Sequence, residues 1–118
     1  MREEDVMNAK SYVENLAAQN GLPNLYVNGG FGVYINLINR TISVHGPRSA
    51  DWQKARSNPT NIPHVFNKTS NGFWVGGFRN LFEATAFAKF LKDYIYRTTG
   101  ETMHISAGKD VFQNIKLF

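Results

Sequence analysis

The sequence contains no cysteine. Disulfide bonds, thiolate nucleophiles and cysteine-ligated zinc or iron–sulfur sites are therefore excluded, and we expect an intracellular, cytoplasmic protein. No apolar run reaches the roughly 20 residues of a membrane-spanning helix. The chain opens with Glu3, Glu4 and Asp5, whereas a secretion signal opens with cationic and then apolar residues. We accordingly expect no contact with membranes.

Histidine is also scarce, since only His45, His64 and His104 occur. None of them lies at a metal-motif interval from another histidine or a carboxylate, and no serine sits in a nucleophile-elbow sequence. The sequence therefore predicts no metal site, no cofactor, no catalytic residues and no enzymatic activity. A small hydrolase or nuclease, built on His45 with Arg48 or on His64 with a nearby carboxylate, is the third-ranked hypothesis.

Apolar residues are plentiful, at 42% of 118 residues, and aromatic residues make up 14%. This composition is typical of a folded domain and unlike that of a disordered chain. The length supports one hydrophobic core. We expect residues 1–118 to form a single small domain.

Two segments have the apolar periodicity of helices. Residues 3–20 begin with acidic side chains. They carry an apolar stripe at three- and four-residue spacing, formed by Val6, Ala9, Val13, Leu16 and Ala17. The second helix is predicted at 80–96, because Asn80 and Glu83 have the spacing of a helix cap and Gly100 follows as a stop. The residues predicted to form the core around this helix are Phe78, Ala84, Phe87, Ala88 and Leu91.

Two other segments alternate between apolar and polar residues, as strands do. Residues 25–44 and 64–78 each predict a β-hairpin. The second has residues 67–72 as its turn, with Asn71-Gly72 as a strong turn signal, and Gly76-Gly77 ends its outgoing strand. A further short strand is expected within Thr102 to Ser106. The predicted fold is α+β, an antiparallel sheet of about four strands packed on one side against two helices.

The connection at 47–63 is long and rich in serine, asparagine and proline. Such a loop is usually a binding element or a mobile segment, and the sequence leaves open whether it is ordered. A short helix is expected around Ala50 to Arg56.

The charge is distributed unevenly. Residues 1–39 carry two cations against four anions, net −2, and residues 40–118 carry eleven against five, net +6. The part from Arg40 to Arg79 holds six cations and only Asp51 as an anion. This density predicts a nucleic acid or an acidic protein surface as partner, although an ordinary soluble surface of this charge is the alternative.

Aromatic and basic residues interleave on the second predicted hairpin. Alternation sends only one of Phe73 and Trp74 into the core, so the other lies on the opposite face, where an aromatic ring can stack on a base. The alternative is that the helices cover one face and the long connection covers the other. The predicted binding residues are Arg40, Arg48, Lys54, Arg56, Lys68, Trp74 and Arg79.

Part of the chain resembles a known family. Asn71 to Phe78, followed by Glu83-Ala84 and a helix with small residues, is similar to the last strand and helix of the three-stranded DNA-binding domain of ethylene-response factors and tyrosine integrase arms. The resemblance covers residues 64–96. It implies a sheet that lies on DNA and a helix that braces the sheet from behind. The same pattern is also similar to sporulation-related peptidoglycan-binding repeats.

These observations favour a non-enzymatic binding module, with nucleic acid as the first-ranked partner. The alternative is a phage or mobile-element inhibitor that binds and blocks a host protein or a nucleoprotein complex, as the thirteen asparagines and the short length suggest. The oligomeric state and the identity of the partner do not follow from the sequence.

Overall fold

The computed structural model describes residues 2–22 and 25–111. In chain order, the elements of these residues are α1 (Glu3–Gln19), β1 (Tyr26–Asn36), β2 (Thr41–His45), α2 (Ala50–Arg56), β3 (Val65–Phe66), β4 (Gly72–Phe78), α3 (Leu81–Thr99) and β5 (His104–Ala107).

The strands form one mixed sheet in the order β3-β4-β1-β2-β5. All neighbouring strands pair antiparallel except β5, which lies parallel to β2. The α+β class is confirmed, but the sheet of the described residues has five strands instead of about four and is not purely antiparallel. Beside the two predicted long helices, the described residues contain the short helix α2. The parallel pairing arises because α3 is a crossover connection, which returns the chain so that β5 runs in the same direction as β4 and β2.

The main core lies between the sheet and the helices α1 and α3. Alternation along the strands directs one set of side chains to this face. The fully buried members of the core on β1, β2 and β4 are Val33, Ile35, Ile42, Val44, Phe73, Val75 and Phe78. From α3, Ala84, Phe87, Ala88 and Leu91 are at most 2% exposed. The predicted core around this helix is therefore confirmed.

The two long helices begin close to their predicted positions. At the start of α3, the side-chain oxygen of Asn80 accepts a hydrogen bond from the backbone N–H of Glu83 at 2.8 Å, and Gly100 ends the helix in the left-handed conformation with φ 79°. In α1 the buried residues all lie in the first half of the helix, so Leu16, which belongs to the predicted apolar stripe, is 45% exposed. None of the described helices has both the length and the hydropathy that crossing a membrane requires.

The connection at 47–63 is described throughout, and it contains the expected short helix as α2. Ser49 caps α2, because its hydroxyl accepts a hydrogen bond from the N–H of Trp52 at 3.2 Å. The helix lies on the face of the sheet opposite α1 and α3. The prediction that Gly76-Gly77 ends a strand is wrong, because β4 continues through both glycines to Phe78.

We predict that Phe87→Ala lowers the free energy of unfolding by about 3–5 kcal/mol, because it removes a buried aromatic ring that packs against Phe78 at 5.2 Å. The matched control is Phe82→Ala on the same helix, where the ring is 80% exposed, and its effect should stay within about 0.5 kcal/mol. Urea denaturation of both variants measures the difference. Similar losses in the two variants would contradict the assigned core face of α3.

Candidate functional site

The face of the sheet opposite α1 and α3, which we call the outer face, carries every second side chain of the strands. Trp74 on β4 lies opposite Tyr34 on β1, and Tyr34 lies opposite Ser43 on β2. Ser43 in turn lies opposite Ser106 on β5. These four side chains form one row across four strands, aromatic at one end and polar at the other.

Trp52 of α2 covers one end of the outer face and is fully buried. Its indole lies over Gly32 and Gly76, which are paired across β1 and β4. A Cβ atom at Gly76 would lie 2.6 Å from Cη2 of Trp52, and a Cβ atom at Gly32 would overlap the same ring. The indole N–H donates to the carbonyl oxygens of Gly29 at 2.9 Å and Gly30 at 3.0 Å. The paired glycines therefore provide the space in which α2 docks on the sheet.

An aromatic cluster extends from Trp52 along the outer face. The rings of Trp52 and Trp74 are stacked, with centroids 5.3 Å apart and an interplanar angle of 24°. Tyr34 follows at 5.1 Å from Trp74, and Phe66 contacts Trp52 edge-on at 5.4 Å. Trp74 is 6% exposed. The prediction that Phe73 and Trp74 face opposite sides is confirmed, but α2 covers most of Trp74, and the half-buried Tyr34 is the more exposed ring of the row.

A cavity of about 460 Å³ opens beside Tyr34, between α2 and the turn that joins β3 to β4. We call it the Tyr34 cavity. Its lining combines sheet, helix and turn residues: Tyr34, Ser43, His45, Asp51, Lys54, Asn67, Thr69 and Trp74. Aromatic, hydrogen-bonding and charged groups thus meet in one concave surface.

A second cavity of about 490 Å³ lies on the other side of His45, between the start of α2 and the end of β5. We call it the Arg48 cavity. Arg48, Ser49 and Lys109 belong to its lining, and His45 and Asp51 line both cavities. A ligand that is longer than one cavity can therefore contact both.

His45 is held in place between the two cavities. Its Nε2 atom lies 3.0 Å from the hydroxyl of Ser43, and its Nδ1 atom lies 3.2 Å from the hydroxyl of Ser49. The imidazole also contacts Trp74 edge-on at 4.8 Å. Burial lowers the pKa of His45 from its usual value, although the nearby carboxylates of Asp110 and Asp51 act in the opposite direction. The ring is accordingly neutral at pH 7, so one ring nitrogen donates a hydrogen bond to one hydroxyl and the other accepts a hydrogen bond from the second hydroxyl.

Four of the six predicted basic residues have partners within the chain. Arg56 donates to the carbonyl oxygen of Gly29 at 2.6 Å, and its guanidinium lies 5.4 Å from the ring of Trp52. It therefore helps to fix α2 on the sheet.

The other three pair with carboxylates. Lys68 lies 2.9 Å from Glu3, and Arg40 lies 3.7 Å from Glu101. Arg79 forms a two-pronged pair with Glu83, and this hydrogen bonding raises the pKa of Arg79. The structure places Arg40 and Arg79 outside the lining of both cavities.

Arg48 and Lys54 differ from these four. Both side chains are exposed, and neither has an ion-pair partner among residues 2–22 and 25–111. Lys54 lines the Tyr34 cavity and Arg48 lines the Arg48 cavity. The structure thus brings together Lys54, Arg48 and Trp74 from the predicted set.

Sequence reasoning missed Tyr34, Ser43, Asn67 and Thr69 as members of the site. A signal for the first two was present, because Val33 and Ile35 point into the core and their neighbours on β1 and β2 must therefore face outward. Asn67 and Thr69 belong to the predicted turn at 67–72, but no sequence pattern specifies that this turn lies beside the outer face and brings them to the cavity.

The alternative site at His64 lies elsewhere in the fold. Its imidazole stacks on the ring of Tyr26 at 3.8 Å, and burial, together with the charge of Lys10, lowers the pKa of His64. Over the described residues, no group of three or more metal-ligating side chains comes together. The prediction that the protein is not an enzyme is untested and stays a prediction.

Comparisons with protein-family models, with curated proteins and with solved structures found no match to this chain. The resemblance of residues 64–96 to a DNA-binding domain stays a prediction. In the structure these residues supply β3, β4 and α3, and Trp52 covers part of the sheet face that the resemblance would place on DNA.

We predict that the protein loses stability as the pH falls from about 7 to 5. The lowered pKa of folded His45 means that the unfolded chain takes up a proton first, below about pH 6.5. His45→Gln should reduce the loss, and His64, whose pKa is also lowered, should account for part of the remainder. Denaturant titrations at several pH values measure this, with His104→Gln on β5 as the matched substitution. An unchanged pH dependence in His45→Gln would contradict the assignment.

Proposed function

We propose that the protein is a nucleic-acid-binding module that uses the outer face of its sheet beside α2. The observation that carries this proposal is the position of Arg48 and Lys54. They are the two members of the predicted basic set whose side chains make neither an ion pair nor a hydrogen bond in the described part of the chain, and each borders one of two adjoining cavities.

The chemistry of this surface suits a polyanion that also presents bases. Lys54 and Arg48 supply charge for phosphate groups, and the hydroxyl of Ser43 and the amide of Asn67 supply neutral hydrogen-bonding groups between and around them. Tyr34 adds an aromatic ring. A purely electrostatic surface would not need this mixture.

Asp51 and Asp110 border the same cavities and limit the positive potential. We therefore propose few phosphate contacts, on the order of two, instead of the extended basic surface that the charge count of residues 40–79 suggested. The affinity for nucleic acid should therefore fall only slowly as the salt concentration rises.

A second candidate function is binding to a protein partner, in keeping with the hypothesis of an inhibitor that blocks a host protein. The observation that favours it is a group of exposed aromatic side chains on the helical layer. Phe82, Tyr96 and Tyr12 are 80%, 60% and 53% exposed, and Tyr12 stacks on Phe90 at 5.4 Å. Exposed aromatic side chains are frequent anchors in protein interfaces.

We predict that the logarithm of affinity for a single strand falls linearly with the logarithm of salt concentration, with a slope of about −1.4 for two phosphate contacts. Lys54→Ala and Arg48→Ala should each make the slope shallower by the equivalent of about one phosphate contact. Fluorescence anisotropy with labelled DNA and RNA at several salt concentrations measures the slopes.

The matched controls for these variants are Arg79→Ala and Arg97→Ala, because Arg79 pairs with Glu83, and Arg97 pairs with Asp93 at 3.0 Å. Both controls should keep the slope of the unmodified protein. Absence of binding to any nucleic acid at low salt would refute the proposed function and leave protein binding as the candidate. If the slope became shallower only in the control variants, the phosphate contacts would lie near Arg79 and Arg97 and not beside Arg48 and Lys54.

A further inference from the structure

We infer that the ligand is single-stranded and that one of its bases enters the Tyr34 cavity, between Tyr34 and Asn67, while Lys54 contacts the adjoining phosphate. This inference rests on the proposed function and specifies the form of nucleic acid that the same site takes. Its basis is the meeting of an aromatic ring, an unpartnered amide and an unpaired ammonium group in one cavity.

The size and shape of the cavity favour one base over a duplex. A volume of about 460 Å³ lies within the range of roughly 300–1,000 Å³ that is typical of sites for single small ligands. The bases of a duplex are stacked and paired, so a duplex offers a cavity only its backbone and groove edges. A single strand can turn a base outward into the space between α2 and the β3–β4 turn.

The ring of Tyr34 is held in place before any ligand arrives. Trp74 lies against it at 5.1 Å, and Trp74 is itself stacked on Trp52 at 5.3 Å. Trp52 is fixed in turn by hydrogen bonds to the carbonyl oxygens of Gly29 and Gly30. A base that stacks on a ring fixed in this way costs little side-chain entropy, which is the general advantage of a preorganised site.

Asn67 supplies the group that can read a base edge. Its backbone is in the left-handed region, with φ 43°, and its N–H donates to the carbonyl oxygen of Asn58 at 2.7 Å, so its position in the turn is fixed. Within the described residues its side-chain amide makes no hydrogen bond, and this amide has both donors and an acceptor. These are the groups that pair with the hydrogen-bonding edge of an unpaired base.

Lys54 completes the match to a nucleotide. It lines the same cavity from α2 and has no ion-pair partner among the described residues. A base on Tyr34 and a phosphate beside Lys54 are the two parts of one nucleotide unit. The same chemistry is presented by a free nucleotide, so the experiment must separate a strand from a mononucleotide.

The test measures the affinity of four ligands by anisotropy or by competition: a short single strand, the same strand with abasic positions, a hairpin duplex and a nucleoside monophosphate. Tyr34→Ala should weaken binding of the single strand by about 5- to 150-fold, which is the range for the loss of one stacked base. Tyr34→Phe keeps the ring and should stay within about twofold. Tyr12→Ala removes an exposed tyrosine of the helical layer and is the matched control.

Abasic positions should weaken binding to the unmodified protein and have a much smaller effect on Tyr34→Ala. Asn67→Gly preserves the left-handed backbone while it removes the side-chain amide. It should lower the affinity for the single strand several-fold and leave the affinity for the abasic strand unchanged. This second variant decides the question if Tyr34→Ala fails to fold. Circular dichroism of each variant verifies folding.

Equal affinity for duplex and single strand, or no effect of Tyr34→Ala and Asn67→Gly, would overturn base insertion. If Lys54→Ala still reduced the salt slope in that case, the proposed function would stand. A monophosphate that bound as tightly as the strand would overturn the assignment to a strand. No binding of any ligand at low salt would remove the proposed function and this inference together.

Discussion

The docking of Trp52 on Gly32 and Gly76 is the contact on which the outer half of this protein depends. Without side chains at these two paired positions, the indole reaches the backbone of β1 and donates to Gly29 and Gly30. The contact fixes α2, and α2 supplies one wall of each cavity. It also covers most of Trp74, which leaves Tyr34 as the more exposed of the two rings that line the Tyr34 cavity. One tryptophan on a seven-residue helix therefore sets the shape of the candidate site.

Local signals in the sequence were sufficient for much of the fold. The spacing of Asn80 and Glu83 and the glycine at position 100 correspond to contacts made within a few residues, and both appear in the structure. The periodicity around Phe87 marks the face of α3 that is buried. The parallel pairing of β5 with β2 could not be predicted in the same way. It depends on where α3 returns the chain, and α3 is positioned by packing against α1 and the sheet, which involves residues far apart in the sequence.

The candidate site was predicted less completely, for a reason that concerns distance along the chain. Counting charge between residues 40 and 79 made six cations look available. Lys68 and Arg40 are in fact paired with Glu3 and Glu101, which lie outside that segment, and Arg56 contacts a backbone carbonyl that no charge count includes. Lys54 and Arg48 were predicted from the same count and do border the cavities. Whether a cation is available is a property of the folded chain.

The parallel partner of β2 has a consequence for how the chain is made. Thr41 pairs with His104, so β2 and its partner are separated by roughly sixty residues of sequence. Until β5 has been synthesised, the outer edge of β2 presents unpaired backbone groups to any other chain nearby. Pairings between distant segments close slowly because the loop entropy is lost before the contact forms. A nascent chain arrested before residue 104 would therefore be prone to aggregation through β2, even though its hairpins and helices could already form.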